Sequence, residues 1–171
     1  MIKIKDNFLK PDQFKHIQEI LSGEYFPWYF NNYKVSGDNK FQFVHRFYEQ
    51  DEGGNLSSAT KHLLPLFRTI GIRALIRAKS NLNIIDPKQT LDNFHCDYTE
   101  KGLMTAIFYI NTNNGKTVFK NGEEVDSVEN RLVIFPCYME HTGKMQSDVK
   151  RRIVLNINYY PLHDKDEDVV S

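Results

Sequence analysis

The sequence predicts a mainly β protein with flanking helices, in which amino-terminal helices lie on the outside of a sheet sandwich or barrel. Helical spacing of apolar residues is confined to residues 10–70, whereas short strand-like runs separated by turn signals follow Gly71. Helices followed by many short strands are typical of layered folds of this class. A chain of 171 residues suits a single domain over 1–171, because it buries roughly 70% of its unfolded surface.

Three parts of that domain are predicted: helical support and an aromatic segment over 1–72, a β core over 73–161 and a flexible acidic tail over 162–171. Residues 2–5 form a short strand. Pro11 stands near the first position of a helix that ends at Gly23. Its apolar face consists of Phe14, Ile17, Ile20 and Leu21. Ser or Asn capping and the spacing of apolar residues predict a second helix over 57–70.

Residues 24–49 between these helices carry ten aromatic side chains without helical or strand periodicity. This segment is either a lid that faces a substrate or packed core. Because aromatic side chains bury large apolar areas, core packing is the expectation for most of these rings.

The strands are predicted over 74–82, 92–97, 104–110, 117–119, 131–135 and 151–159, with a hairpin turn at 120–123. In the last strand, Ile153, Leu155 and Ile157 alternate with a second set of residues: Arg152, Val154, Asn156 and Asn158. The alternation indicates an apolar outer face for helices and a polar interior. It assigns Arg152 to the interior, although a register slip of one residue would place Arg151 there instead.

Composition excludes several classes of function. Lys plus Arg and Asp plus Glu both number 22, so no global field attracts nucleic acid or anionic lipid. No apolar run reaches signal-peptide or membrane-span length, and a cytoplasmic setting is expected. Cys96 and Cys137 make no disulfide framework, and Cys96 is interpreted as a small core residue.

One constellation carries a specific chemistry. In an extended strand, His95 and Asp97 point the same way, and His141 from a distant segment can complete one face of a metal. Two histidines and one carboxylate form the facial set of non-haem Fe(II) oxygenases, which leaves positions open for a co-substrate and O2. Arg152 in the same interior offers a bidentate grip on a carboxylate, as 2-oxoglutarate requires. Each histidine alone is more often structural, and the specificity lies in the set.

The stretch from 81 to 159 resembles the Fe(II)/2-oxoglutarate-dependent dioxygenases, particularly the prolyl-4-hydroxylase-like branch and its small stand-alone bacterial and phage members. The matching motifs are Phe94-His-Cys-Asp97, Ala106-Ile-Phe-Tyr-Ile-Asn111, Asn114-Gly-Lys-Thr-Val-Phe119, Glu129-Asn-Arg-Leu-Val-Ile-Phe135 before His141, and Arg152-Ile-Val-Leu155. They cover a little under half of the chain. The resemblance implies a double-stranded β-helix core, of the jelly-roll or cupin kind, over 73–161.

The resemblance also implies roles for individual residues. His95, Asp97 and His141 would bind Fe(II), and Arg152 would bind the distal carboxylate of 2-oxoglutarate. A tyrosine or asparagine assists in the family, and three residues are open for that place: Tyr109, Asn81 and Asn83. The implied reaction uses O2 and converts 2-oxoglutarate to succinate and CO2 while a C–H bond is hydroxylated. A peptidyl, prolyl-like substrate or a small molecule is implied, by analogy alone.

Two other functions compete with hydroxylation. Nucleic-acid demethylation, within the same superfamily, is disfavoured by the zero net charge and by Asn158, where that branch usually carries a second arginine. A non-catalytic metal-binding module of the cupin kind would keep the ligands without turnover. A classical hydrolase is weaker still, because the chain has no Gly-x-Ser-x-Gly turn. Oligomeric state has no signal in the sequence.

Overall fold

The computed structural model describes residues 1–35, 40–51 and 53–162. From His163 onward, the predicted acidic tail lies outside the described residues. The helices are α1 (Pro11–Ser22), a 3-10 helix (Ser58–Leu63) and α2 (Leu64–Ile70). The strands are β1 (Lys3–Lys5), β2 (Tyr29–Asn31), β3 (Gln42–Glu49), β4 (Asn55–Leu56), β5 (Ile72–Ile84), β6 (Met104–Tyr109), β7 (Lys116–Phe119), β8 (Glu124–Asp126), β9 (Leu132–Pro136), β10 (His141–Lys144) and β11 (Arg151–Pro161).

The strands form two antiparallel sheets. The large sheet has the order β1-β9-β6-β11-β5-β3-β2, with β4 paired to β3, and the small sheet has the order β10-β7-β8. Side chains from the inner faces of both sheets pack in one apolar cluster: Ile107, Tyr109, Phe119, Val125, Val133, Phe135 and Val154. Two sheets joined through such a core constitute the predicted jelly-roll fold.

The helices cover the outer face of the large sheet, as predicted. The buried face of α1 consists of Phe14, Ile17 and Leu21. Phe14 meets Phe108 of β6 edge to face, with ring centroids 5.9 Å apart. The outward residues of β11 belong to the same cluster: Ile153, Leu155 and Ile157. The alternation of β11 therefore separates a dry outer core from the interior between the sheets.

The second predicted helix is divided into two parts. Ser57 caps the 3-10 helix by accepting a hydrogen bond from the backbone N–H of Ala59. Pro65 follows at the start of α2, where the missing N–H costs no helical hydrogen bond. Gly71 ends α2 in the left-handed conformation, with φ of 80°. Within the described residues, no helix has the length and apolar character needed to cross a membrane.

The expectation of no strand periodicity in residues 24–49 is wrong, because β2 and β3 lie there. Core packing, expected for most of the ten rings, is found for four of them, which pack with the outer core: Phe26, Trp28, Phe47 and Tyr48. Five other rings are exposed: Tyr25, Tyr29, Phe30, Tyr33 and Phe41. Alternation is obscured in β3 because His45 lies on its buried outer face, where the ring bonds Pro27 O and Ser57 Oγ.

Candidate functional site

A cavity of about 410 Å³ opens between the two sheets. The inward residues of β5 and β11 form one wall, and β10 with the segment before β6 forms another. The lining includes Arg77, Lys79, Asn81, Asn83, Arg152 and Asn156 from the large sheet, with His95, Asp97 and His141 opposite. Cavities of this size hold small molecules and cofactors.

His95 and His141 are brought side by side by a pair of backbone hydrogen bonds. The N–H of His95 donates to His141 O at 3.0 Å, and the N–H of His141 donates to His95 O at 2.9 Å. Residues paired in this way project their side chains to the same face, and the two ring centroids are 4.8 Å apart. The histidine pair thus depends on a single bridge between residues 46 positions apart, which no local pattern reveals.

The protonation of both rings is set by backbone carbonyls. Nδ1 of His95 lies 3.2 Å from Asn93 O, and Nδ1 of His141 lies 3.0 Å from Met139 O. A carbonyl only accepts, so Nδ1 is the nitrogen that bears the proton in the neutral form of each ring, and Nε2 is the nitrogen left to ligate. Burial lowers the pKa of His141, which favours the neutral ring that a metal requires.

The side chain of Asp97 is buried and surrounded by donors from three strands. Arg77 Nη2 donates to Oδ1 at 2.7 Å, and Oδ2 accepts from Thr105 Oγ1 and Asn158 Nδ2, both at 3.0 Å. Burial alone would raise the pKa of this carboxyl, but the positive charge of Arg77 and the donated hydrogen bonds hold the pKa well below its usual range. Oδ1 accepts one bond and keeps an acceptor position, so the ionised carboxylate can still ligate.

The three side chains meet the requirements of a metal site. One ligand atom from each of His95, Asp97 and His141 can be chosen so that all lie within 4.8 Å of one another. Two neutral imidazoles and one carboxylate suit a divalent first-row metal, and three ligands leave coordination positions open. The donor chemistry of the cavity therefore fits the predicted ion.

Arg152 lies in the cavity and Arg151 does not. Arg152 is 4% exposed, and its Nε donates to Ser127 Oγ at 2.9 Å. Arg151 is exposed on the opposite face and donates to Ser22 O. Burial lowers the pKa of Arg152, and no carboxylate forms an ion pair with it among the described residues. A buried guanidinium without a counter-charge is costly unless an anion is supplied to it.

Gly115 makes room for Arg152. A Cβ at this position would lie 3.0 Å from Arg152 Cδ and 2.8 Å from Asn113 Oδ1. Such contacts are shorter than packed side chains tolerate, so the glycine of the Asn114-Gly-Lys-Thr motif has a steric role beside the arginine.

The three assisting candidates are placed differently. The Tyr109 hydroxyl is buried and donates to Thr117 Oγ1 at 2.7 Å, while the Tyr109 ring lies 5.8 Å from the Arg152 guanidinium carbon. Asn81 and Asn83 line the cavity from β5, where Asn83 is paired with Arg152 of β11 and Asn81 with Val154. The Oδ1 atoms of both asparagines are buried and have no hydrogen-bond partner among the residues that the structure describes.

Several residues of the site are not predicted from the sequence. Arg77, Thr105 and Asn158 hold Asp97, yet they belong to β5, β6 and β11 and meet only through strand register. The strand predicted over 92–97 is wrong, because isolated bridges at Leu91 and His95 replace it. For the same reason Cys96, expected to face away as a small core residue, lines the cavity.

Comparisons with known proteins establish the fold. No family profile matches the sequence, and no curated protein matches it. An oxidoreductase of the 2OG-Fe(II) oxygenase family from Burkholderia pseudomallei superposes with a TM-score of 0.66 at 10% identity, over 93% of this chain and 85% of that one. The epimerase SnoN, solved with Fe3+, alpha ketoglutarate and nogalamycin RO, gives 0.66 at 10% identity, over 94% and 78%.

A prolyl hydroxylase from Trichoplax adhaerens, solved with a peptide fragment of the hypoxia inducible factor oxygen degradation domain, gives a TM-score of 0.61. The identity is 15%, over 93% of this chain and 83% of the hydroxylase. The resemblance that the sequence motifs predict is therefore confirmed in the fold, and the identities are too low to carry more than that.

Proposed function

We propose that this protein is an Fe(II)/2-oxoglutarate-dependent oxygenase that hydroxylates a C–H bond. The observation that carries the proposal is the joint placement of His95, Asp97 and His141 beside Arg152, a buried cation, in one cavity. This chemistry requires a metal with open coordination positions and a separate site for the distal carboxylate of 2-oxoglutarate. The three ligands provide the first and Arg152 provides the second.

His95, Asp97 and His141 hold the iron in this proposal. The carbonyls of Asn93 and Met139 orient the two rings, and Arg77 keeps Asp97 ionised. These contacts fix the tautomers and the charge before a metal arrives, which favours divalent iron over a bound proton.

Arg152 anchors the distal carboxylate of 2-oxoglutarate. Ser127 and the Tyr109 ring fix the guanidinium, so little side-chain entropy is lost on binding. The ring of Tyr109 packs near the Arg152 guanidinium and supports it, while Asn81 or Asn83 donates an amide N–H to the keto acid. When bound, Fe(II) with 2-oxoglutarate and O2 supplies oxidative decarboxylation to succinate and CO2, coupled to hydroxylation.

The substrate is a peptidyl, prolyl-like residue or a small molecule. Support for both comes from proteins of the same fold, one solved with a peptide fragment and one with nogalamycin RO. A cytoplasmic setting fits the absence, among the described helices, of a segment that could cross a membrane.

The proposal is tested by titrating the metal-free protein with Fe(II) and then 2-oxoglutarate under anaerobic conditions. A visible charge-transfer band from the chelated keto acid is expected. Arg152→Met should weaken 2-oxoglutarate binding at least tenfold, because it removes a charge-assisted bidentate contact.

Arg151→Met is the matched control, since Arg151 precedes Arg152 on the same strand and is exposed. It should leave the titration unchanged. Iron that binds without a band, or equal effects of the two substitutions, would contradict the proposal and favour a non-catalytic metal-binding module. His95→Ala and His141→Ala should each abolish tight iron binding. An iron affinity that is unchanged in both variants would show that these histidines do not form the metal site.

A further inference from the structure

Four cationic side chains line the cavity, and two of them are neutralised there. Lys34 Nζ lies 3.2 Å from Asp92 Oδ2, and Arg77 Nη2 lies 2.7 Å from Asp97 Oδ1. The other two are Arg152 and Lys79, and neither forms an ion pair with a carboxylate in the described part of the chain. The proposed function assigns an anion to Arg152 and leaves Lys79 without one.

Lys79 lies in a row that crosses three strands at one level of the sheet. Its partner on β11 is Asn156, and its partner on β3 is Arg46. Directly opposed residues in antiparallel strands project to the same face, so the row runs from Asn156 in the interior to Arg46, which is exposed at the rim. Lys79 thus lies between Asn156, which contacts Asp97, and the exposed Arg46 of β3.

Asn156 adds an acceptor of defined orientation. Its Nδ2 lies 3.4 Å from Asp97 Oδ2, and an ionised carboxylate only accepts, so the amide nitrogen faces Asp97. The Oδ1 atom therefore points away from Asp97, and it is buried without a hydrogen-bond partner in residues 1–35, 40–51 and 53–162. An unpartnered acceptor beside an unpaired ammonium calls for a ligand with both a negative group and a donor.

We propose that Lys79 and Asn156 form a subsite for a small carboxylic acid that is the molecule oxidised, with its carboxylate on Lys79 and a nearby N–H or O–H on Asn156. Amino acids and hydroxy acids have this chemistry. The inference rests on the proposed function and specifies its substrate as a small acid.

The position of the subsite separates it from the keto acid anchored at Arg152. Asn156 follows Arg152 by four residues on the same strand, which places the two levels about 13 Å apart at roughly 3.3 Å per residue. Asp97 lies at the level of Asn156 and Asn158. A keto acid on Arg152 would therefore approach Asp97 along β11, whereas an acid on Lys79 would approach it across the strands from β5.

The test measures binding without turnover. Protein loaded with Zn(II), which supports no oxidation, and with 2-oxoglutarate is screened by ligand-observed NMR against free amino acids and hydroxy acids, each paired with its primary amide. At least one acid should bind while its amide does not. Lys79→Met should weaken that acid at least tenfold, Lys79→Arg should retain part of the affinity, and Lys88→Met, at an exposed loop lysine, should have no effect.

The same preparations are titrated with Fe(II) and 2-oxoglutarate, so that the two proposals fail separately. A missing charge-transfer band in the wild type overturns the proposed function. A normal band overturns the subsite alone if no acid binds, if acid and amide bind equally, or if Lys79→Met weakens 2-oxoglutarate as much as Arg152→Met does. Circular dichroism of Lys79→Met and Lys79→Arg verifies that both variants fold.

Discussion

The two faces of β11 differ in what they contribute. Outward, Ile153, Leu155 and Ile157 pack into the dry core beneath the helices. Inward, the same strand presents Arg152 without a carboxylate partner in the described structure, and Asn156 with an unpartnered buried oxygen. Burial of the outer face raises the free energy of unfolding. The buried polar groups of the inner face lower it, and they remain available to bind ligands.

The largest expected effect lies on the outer face. Leu155 is fully buried, so Leu155→Ala should lower the free energy of unfolding by about 2–5 kcal/mol through lost burial and a residual cavity. Urea unfolding measures this change. The affinity of the remaining folded protein for 2-oxoglutarate should stay within twofold of wild type.

The inward neighbour provides the contrast. Asn156→Ala removes one long hydrogen bond to Asp97 and one unpartnered oxygen, so stability should change by no more than about 1 kcal/mol. Comparable losses for Leu155→Ala and Asn156→Ala would show that the two faces are not divided in this way.

Next in size is the ion pair on the inner face. Arg77→Met leaves the Asp97 carboxylate buried with hydrogen bonds but without a counter-charge, because Asp97 is 4% exposed and Arg77 18% exposed. The metal-free protein should lose about 2–4 kcal/mol. Asp97→Asn in the same background should recover part of the loss, since it removes the unpaired charge.

A double-mutant cycle in urea measures this coupling. Arg73→Met, at an exposed arginine earlier on β5, is the matched control and should cost less than about 1 kcal/mol. Additive losses from Arg77→Met and Asp97→Asn would mean that the two side chains do not stabilise each other.

The sequence predicts the long regular strands well and the irregular site segment poorly. In β11 the period-two alternation persists from Arg152 to Asn158, before the register shift between Asn158 and Tyr159, so it assigns Arg152 to the interior and Arg151 to the surface, as observed. Residues 92–97 have no such regularity, because their backbone bonds come from bridges to β10. His95 and Asp97 do lie at one site, although the regular strand whose alternation predicts this is absent.

The surroundings of Asp97 lay beyond prediction for a different reason. Arg77, Thr105 and Asn158 are ordinary inward residues of three strands, and only the pairing registers of β5, β6 and β11 bring them to one carboxylate. Register depends on the whole sheet. The alternation within one strand therefore predicts which face a side chain lies on, but not which residue of the neighbouring strand lies beside it.

The last expected effect is smaller than that of the ion pair and opposite in sign, because Lys79 is an inner-face side chain whose burial lowers stability. Burial and the neighbouring charge of Arg77 lower the pKa of Lys79 from 10.5 to about 8. Because the folded pKa is the lower one, unfolding takes up a proton between these two values, and stability should rise with pH across that window. At pH 7 the folded protein carries the full cost of the charged ammonium.

Lys79→Met should therefore stabilise the metal-free protein by about 1–2 kcal/mol at pH 7, a figure reduced for the partial exposure of the side chain. The gain should shrink toward about pH 10, where the native lysine is already neutral in the folded state. Urea unfolding across this range measures it, with Lys88→Met expected to show no pH-dependent difference. A loss of stability at pH 7 would mean that Lys79 has a structural partner, and the contrast between the two faces would then not extend to β5.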